Sequence, residues 1–440
     1  MPLPAALRDR MDDWIRQNRG RIIGLTTELV RISSETDPPG GNEQAAQEFL
    51  ADACERHGLP VELYDIGSVA GIEEHPLHHP GARLAGRPNV AVRRPGRRGA
   101  DARSLILSGH MDTVPAGDPG TWADAPTSGR IVSGKLYGRG AYDMKAGVAA
   151  NFMTLMMLDE LGIELDGDLL VESVVDEEFA GGHGTLAARL HSGGADAVLL
   201  PEPSNLVPYR AHRGLRIARL AIHGTGGVTF AGDQLRPAVL QLPAVIQGLT
   251  EFVATRNARL VIPEAYQHMA DPASAMVTKV RANDWGDAVR LAVPEIAEVE
   301  FFWETLPGET QAEVEQEFET WLAALRTATS ADIRASYWLR WMAGYQLARE
   351  HPLVPVVEQN LQDVTGNACP ATGAPFPCDL FLFKELGVPA GMILGPSGNN
   401  AHAPDEWVDV ESIVQLVRAY GRIVVDWCNQ PRGEMQNAEV

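Results

Sequence analysis

Apolar positions along the chain change rhythm several times, and each change marks an element. Over residues 5–57 they recur at helical spacing, as in IIGLTTELVRI. TDPPGGNE interrupts that run with Pro and Gly, and AAQEFLADACERHG resumes it up to Gly58. Short apolar runs follow that read as strands: PVELYDI, PNVAVRR and SLILS. A helix is predicted after Asp143 (MKAGVAANFMTLMMLDELG), then a strand over 168–175, a helix after Gly184 and a strand over 197–200. Strands alternating with helices predict an α/β fold with a mainly parallel sheet covered on both faces.

The rhythm shifts near Tyr209. Residues 215–222 read as a strand, 237–256 as a helix, 276–281 and 298–303 as two strands, 309–326 as a helix and 333–341 as a strand. That order is β-α-β-β-α-β, a ferredoxin-like arrangement. The earlier pattern returns from His351, with a strand over 390–394. The expected architecture is one α/β domain made of residues 1–209 and 346–440, interrupted by an inserted domain over 210–345.

Composition narrows the partners. Lys and Arg number 37 against 58 Asp and Glu, a formal charge of −21. Such a surface repels phosphate backbones and anionic lipid, so neither nucleic acid nor membrane is expected as a partner. Cys54, Cys369, Cys378 and Cys428 form no C-x-x-C pair, which argues against a disulfide framework or a cysteine zinc site. The N-terminus lacks an apolar core of signal-peptide length, and no later run reads as long enough to span a bilayer. A cytoplasmic location is expected.

The chemistry lies just beyond the apolar strands. After SLILSG comes His110-Met111-Asp112, after DLLVESVV comes Asp176-Glu177-Glu178, and after AVLL comes Pro201-Glu202-Pro203. GMILG leads to a loop with His402 and Glu406, and Asp143 sits in the glycine-rich turn GRGAYDMKAG. Ligands of open α/β sheets sit at the carboxyl ends of the strands. Imidazole with carboxylate suits zinc, cobalt or manganese better than magnesium or calcium. Two histidines and three carboxylates exceed the needs of one tetrahedral ion and suit two ions sharing a carboxylate, about 3.5–4 Å apart. If the first of these strands runs on to Asp112, His110 and Asp112 share a face, and the carboxylate can hold the far imidazole nitrogen.

The motifs SGHMDTVPAG, LYGRGAYDMKAG, VVDEEFAGG, PEPSN and AHAPDEWV, with the N-terminal TDPPGGNE, carry a resemblance over nearly the whole chain. The sequence resembles the dinuclear zinc amidohydrolases that include aminoacylase, acetylornithine deacetylase, succinyl-diaminopimelate desuccinylase and glutamate carboxypeptidase. The resemblance implies that Asp143 bridges two metal ions, that His110 and Glu202 complete one, and that Glu178 and His402 complete the other. It implies zinc first, with cobalt or manganese as alternatives. It makes Glu177 the general base, which takes a proton from the metal-bridging water and delivers it to the leaving nitrogen. It makes Asp112 the residue that orients His110, and residues 210–345 a lid and dimerisation domain of a homodimer. Glutamate at 202 goes in this family with acyl-amino-acid hydrolases and carboxypeptidases rather than aminopeptidases.

The inserted domain departs from the family pattern. The histidine of the lid motif G-x-x-x-H falls on Val228, in GTGGVTF. The D-x-R before the last lid turn reads Phe302-Trp303-Glu304, and the lid asparagine falls near Leu291. Valine donates no hydrogen bond to an oxyanion, and losing one such donor typically costs about 2.7–4 kcal/mol of transition-state stabilisation. His212, Arg213, Arg216 and His223 are the candidate substitutes. Glu304 would repel a substrate carboxylate, so the expected small-molecule substrate is an N-formyl compound or an aromatic amide. The alternatives are hydrolytic deamination of an aromatic amine on the same scaffold, and a non-catalytic binding protein. His183 reads as a helix-start or packing residue and Cys378 as a buried structural cysteine.

Overall fold

The computed structural model describes residues 3–228, 235–282 and 292–432. The chain forms two compact units, one of Met1–Ala211, Leu347–Ala374 and Cys378–Val440, the other of His212–Gln346 with Pro375–Pro377.

In the first unit the central strands lie in the order Ala390–Ile393, Ala197–Leu200, Leu105–His110 and Leu169–Val174, all parallel. Every residue of these four strands is buried, as runs of Leu, Ile and Val covered on both faces require. The sheet as a whole is mixed. Pro88–Arg94 pairs antiparallel with Leu169–Val174, Val61–Asp65 extends that edge antiparallel, and Tyr209–His212 pairs antiparallel with Ala390–Ile393. This refines the expected mainly parallel sheet. PVELYDI and PNVAVRR are consecutive strands that pair directly with each other, and they run antiparallel.

Helix Ala146–Glu160 is apolar all round and buried from Ala146 to Leu158. It packs against Ala5–Arg31 and Val410–Cys428. Gln44–His57 ends, as read from the sequence, at Gly58, whose φ of 85° favours glycine.

The second unit has a four-stranded antiparallel sheet in the order Ala275–Arg281, Ile296–Thr305, Gly214–His223, Asp332–Tyr337. Helix Leu242–Asn257 comes after Gly214–His223 in the chain, and helix Gln311–Thr329 after Ile296–Thr305. Thr310 begins the second helix with a capping box, its hydroxyl accepting from the Glu313 N–H. Phe252, Phe301, Trp303 and Phe318 form the centre of this core, with the Trp303 and Phe318 rings stacked 4.8 Å apart. The last strand ends at Tyr337, short of the expected 341. One expectation needs correction: residues Ala238–Asn257 are long and apolar enough, with a mean hydropathy of 1.3, to pass for a membrane span. Leu242, Val245, Leu249 and Phe252 of this run nevertheless belong to the core of this unit.

Candidate metal centre

The carboxyl ends of the parallel strands bring the sequence-predicted residues of the first unit together. His110 is the last residue of its strand, Glu177 and Glu178 follow Leu169–Val174, and Glu202 follows Ala197–Leu200. Asp143 lies in the turn that enters the buried helix Ala146–Glu160, and His402 lies in the loop before Trp407–Asp409.

The Asp143 carboxylate stands between the two imidazoles. Its Oδ1 is 3.3 Å from His110 Nε2, and its Oδ2 is 3.1 Å from His402 Nε2. Glu202 Oε2 lies 3.7 Å and Glu177 Oε2 3.9 Å from His110 Nε2. Glu178 Oε1 lies 3.2 Å from His402 Nε2. His110, Asp143 and Glu178 can each turn a ligand atom to within 4.8 Å of the others. Beside Asp143, His110 Nε2 therefore has two further carboxylates, Glu202 and Glu177, within 4 Å, and His402 Nε2 has one, Glu178.

The electrostatics describe a cage short of positive charge. Burial pushes Glu177 well above the usual carboxylate range and Glu202 up to about 7, with neighbouring acids adding to both. Burial works against protonation of His110 and His402. The surrounding carboxylates outweigh it, raising His110 well above the usual imidazole range and His402 to about 11. Buried His110 Nε2 and Glu178 Oε1 make no hydrogen bond. Two bare ligand atoms among crowded acids fit divalent cations, which would neutralise the charge and occupy those atoms.

Asp112 needs a correction. Its carboxylate stands 3.7 Å from His110 Nδ1, while the Asp112 backbone carbonyl is 2.9 Å from that nitrogen. The strand ends at His110, so the shared-face argument does not extend to Asp112. Its carboxylate instead accepts the N–H groups of Glu177 (3.2 Å) and Glu178 (3.1 Å). Asp112 thus meets the His110 ring through its main-chain carbonyl and the Glu177 and Glu178 N–H groups through its side chain.

Arg213, Arg216 and Glu304 of the second unit do not present free charges, and His223 ends the strand Gly214–His223, half-buried. Arg213 Nη1 is ion-paired with Glu304, and both side chains are buried. Ser274 Oγ also donates to Glu304, and Arg213 Nη2 donates to the Asp271 carbonyl at 2.6 Å. Arg216 bonds Glu315 at 2.6 Å and the Leu339 carbonyl at 2.7 Å, and lies over the Tyr337 ring. His212 is fully buried, its Nδ1 2.7 Å from the Arg213 carbonyl, and burial lowers it to about 4. Val228 lies in the short strand Gly227–Val228, whose backbone pairs with Ala292–Val293. Leu291 lies outside the described residues.

The sequence reading assigned no role to several residues around the centre. Buried Arg87 bonds Glu43 and Thr36 and pairs with Asp176 at 2.5 Å, tying TDPPGGNE to the Asp176–Glu178 turn. His183, at the start of its helix, pairs through Nδ1 with the same Asp176. Lys145 donates to the carbonyls of Leu29 (3.1 Å) and Ile32 (2.6 Å), anchoring the Asp143 turn to the end of helix Ala5–Arg31. Glu43 and Lys145 lie within the motifs, which was the available signal, whereas Arg87 lies in none of them.

The family model for Peptidase family M20/M25/M40 matches residues 106–426, and the chain belongs to that family. It is a metal-dependent hydrolase of amide-type C–N bonds that acts on small molecules. Among its relatives, an N-formyl-4-amino-5-aminomethyl-2-methylpyrimidine deformylase from Halalkalibacterium halodurans is 24% identical, over 94% of this chain and 96% of that protein. A succinyl-diaminopimelate desuccinylase from Paracoccus denitrificans is 28% identical, over 91% and 96%. A dipeptidase from Saccharomyces cerevisiae shares the fold at a TM-score of 0.77 and 14% identity, over 96% of this chain and 99% of that one.

Proposed function

We propose that the protein removes a formyl or similarly small acyl group from the amine of a small, heteroaromatic-type molecule. In this reading two divalent ions, zinc in the first instance and cobalt or manganese as alternatives, share Asp143. His110 and Glu202 would hold one, and Glu178 and His402 the other. The observation that carries the reading is the Asp143 carboxylate with one oxygen toward each imidazole. When bound, the ions acidify a shared water and polarise the scissile carbonyl.

The chain's own residues supply the rest. Glu177 takes the proton of the attacking water and hands it to the departing nitrogen. Its burial among acids suits it to hold that proton between the two events. The Asp112 carboxylate fixes the Glu177 main chain, so Glu177 need not ligate a metal to stay in place. Substrate choice follows from what the second unit lacks. Val228 stands where relatives carry a donor histidine, and Glu304 is already matched by Arg213. Neither favours an N-acyl amino acid with a free carboxylate, and the relative named for an N-formylated aminopyrimidine supports an uncharged ring instead.

Residues 210–345 serve in this reading as lid and dimerisation domain of a cytoplasmic homodimer. The edge strand Ala275–Arg281, with Met276 and Val280 half exposed, supports a contact through the sheet edge. The test is a panel of N-formyl aminopyrimidines, N-succinyl-diaminopimelate and N-acetylornithine, assayed after chelation and again with zinc, cobalt or manganese restored. Formate release only with metal is the expected result. Preferential turnover of succinyl-diaminopimelate or acetylornithine would overturn the substrate assignment, and ammonia release would replace it with deamination.

A further inference from the structure

His402 is the least protected member of the cage: its side chain is half exposed. Packing alone cannot hold that ring. Its loop is also conformationally demanding, because Asn400, His402 and Asp405 all take positive φ without being glycine. Such backbone persists only where its surroundings over-determine it. The Asp143 turn makes a similar demand. Its N–H groups at Gly140, Tyr142 and Asp143 point inward and need acceptors.

One side chain meets both demands. Glu406, fully buried, accepts from Arg139 Nη1 at 2.7 Å and from the N–H of Gly140 at 2.9 Å through one oxygen. Through the other it accepts from the N–H of Tyr142 at 2.8 Å and of Asp143 at 3.0 Å. Its own carbonyl accepts from the Gly138 N–H at 3.0 Å. Asp405, next to it, accepts from the Ala123 N–H at 2.8 Å. The loop that carries His402 is therefore pinned at its far end onto the backbone of Asp143.

We propose that Glu406 is a positioning residue that sets the spacing between His402 and Asp143, and through it the geometry of the metal cage. The inference rests on the metal reading above. Glutamine has the same shape but replaces one acceptor oxygen with a donor, which faces two donors and leaves them unmatched. Aspartate keeps the charge and shortens the reach.

The experiment titrates cobalt into metal-free protein and follows its visible d–d absorption, with affinity taken from competition with a chromogenic chelator. Glu406→Gln is expected to bind about 10- to 100-fold more weakly, the usual range for a group supporting a metal ligand, with an altered d–d spectrum. Glu406→Asp should recover part of both. In a His402→Ala background the Glu406→Gln effect should shrink, since the two act through one ligand. Wild-type affinity and spectrum in Glu406→Gln, or an undiminished effect without His402, would overturn the proposal even if the thermal midpoint fell. Should Glu406→Gln not fold, weakened binding by Glu406→Asp at unchanged circular dichroism supports it, and wild-type binding overturns it. A wild-type chain that takes up no cobalt would instead defeat the metal reading itself.

Discussion

The cage of the first unit and the inserted second unit treat buried charge in opposite ways. In the first, Asp143, Glu177, Glu178 and Glu202 crowd round two imidazoles, and two ligand atoms are left without hydrogen bonds. In the second, Arg213 meets Glu304, Arg216 meets Glu315, and Arg256 meets Glu309 and Glu317. A buried like-charge cluster is costly unless something neutralises it, so it persists where a function requires it. A matched pair explains itself. Charge near a site is therefore informative through its imbalance and not through its amount.

The contrast can be broken at several points. The largest effect belongs to Glu177. Glu177→Gln should lower kcat by about 10²- to 10⁴-fold, the usual contribution of a positioned acid–base group. Metal content measured by elemental analysis should stay at the wild-type level. A loss of metal would mean that Glu177 is a ligand and not the proton carrier. In the second unit the prediction concerns stability. Arg213→Met leaves Glu304 buried without its partner and should cost about 3–5 kcal/mol in urea unfolding. Arg213→Met with Glu304→Met should recover most of it, and a double variant as unstable as the single one would contradict the matched-pair account.

His212 sharpens the comparison through pH. Its folded pKa of about 4 lies below the unfolded value of about 6.5, so the folded state binds fewer protons between those values. The stability it contributes is complete above pH 6.5 and is lost as pH falls toward 4, by about 3 kcal/mol in all. Unfolding at pH 7 and 4.5 should show about 2 kcal/mol of that as extra acid sensitivity in the wild type relative to His212→Gln. Equal acid sensitivity would remove His212 as the cause. The smallest effect is at Arg219, partly exposed and paired with Glu300 at 3.2 Å. Arg219→Met should change stability by about 0.5 kcal/mol or less, because Lys279 also pairs with Glu300. A larger loss would show that even the rim of this sheet depends on its ion pairs.

The same contrast explains what could be read from the sequence. The residues that converge on Asp143 were legible because four fully buried strands produce apolar runs, and the chemistry falls at or just after three of them and in the loop beyond the fourth. The antiparallel edges were less legible, since an apolar run does not carry a direction. Asp112 misled because two-residue spacing implies a shared face only while the strand continues, and it stops at His110. Arg213 and Glu304 are 91 residues apart, so their pairing depends on the register of two strands. No local pattern encodes that register. Glu406 could be seen as a neighbour of His402, but its four donors lie far upstream in the chain.

The order of the ligands along the chain has a consequence for synthesis. His110, Asp143, Glu178 and Glu202 all precede the second unit, whereas His402 follows it. In the proposed reading a nascent chain holds four of the five metal ligands before the insertion is translated and gains the fifth, His402, only after it, so complete metal capture would follow translation of the final α/β segment.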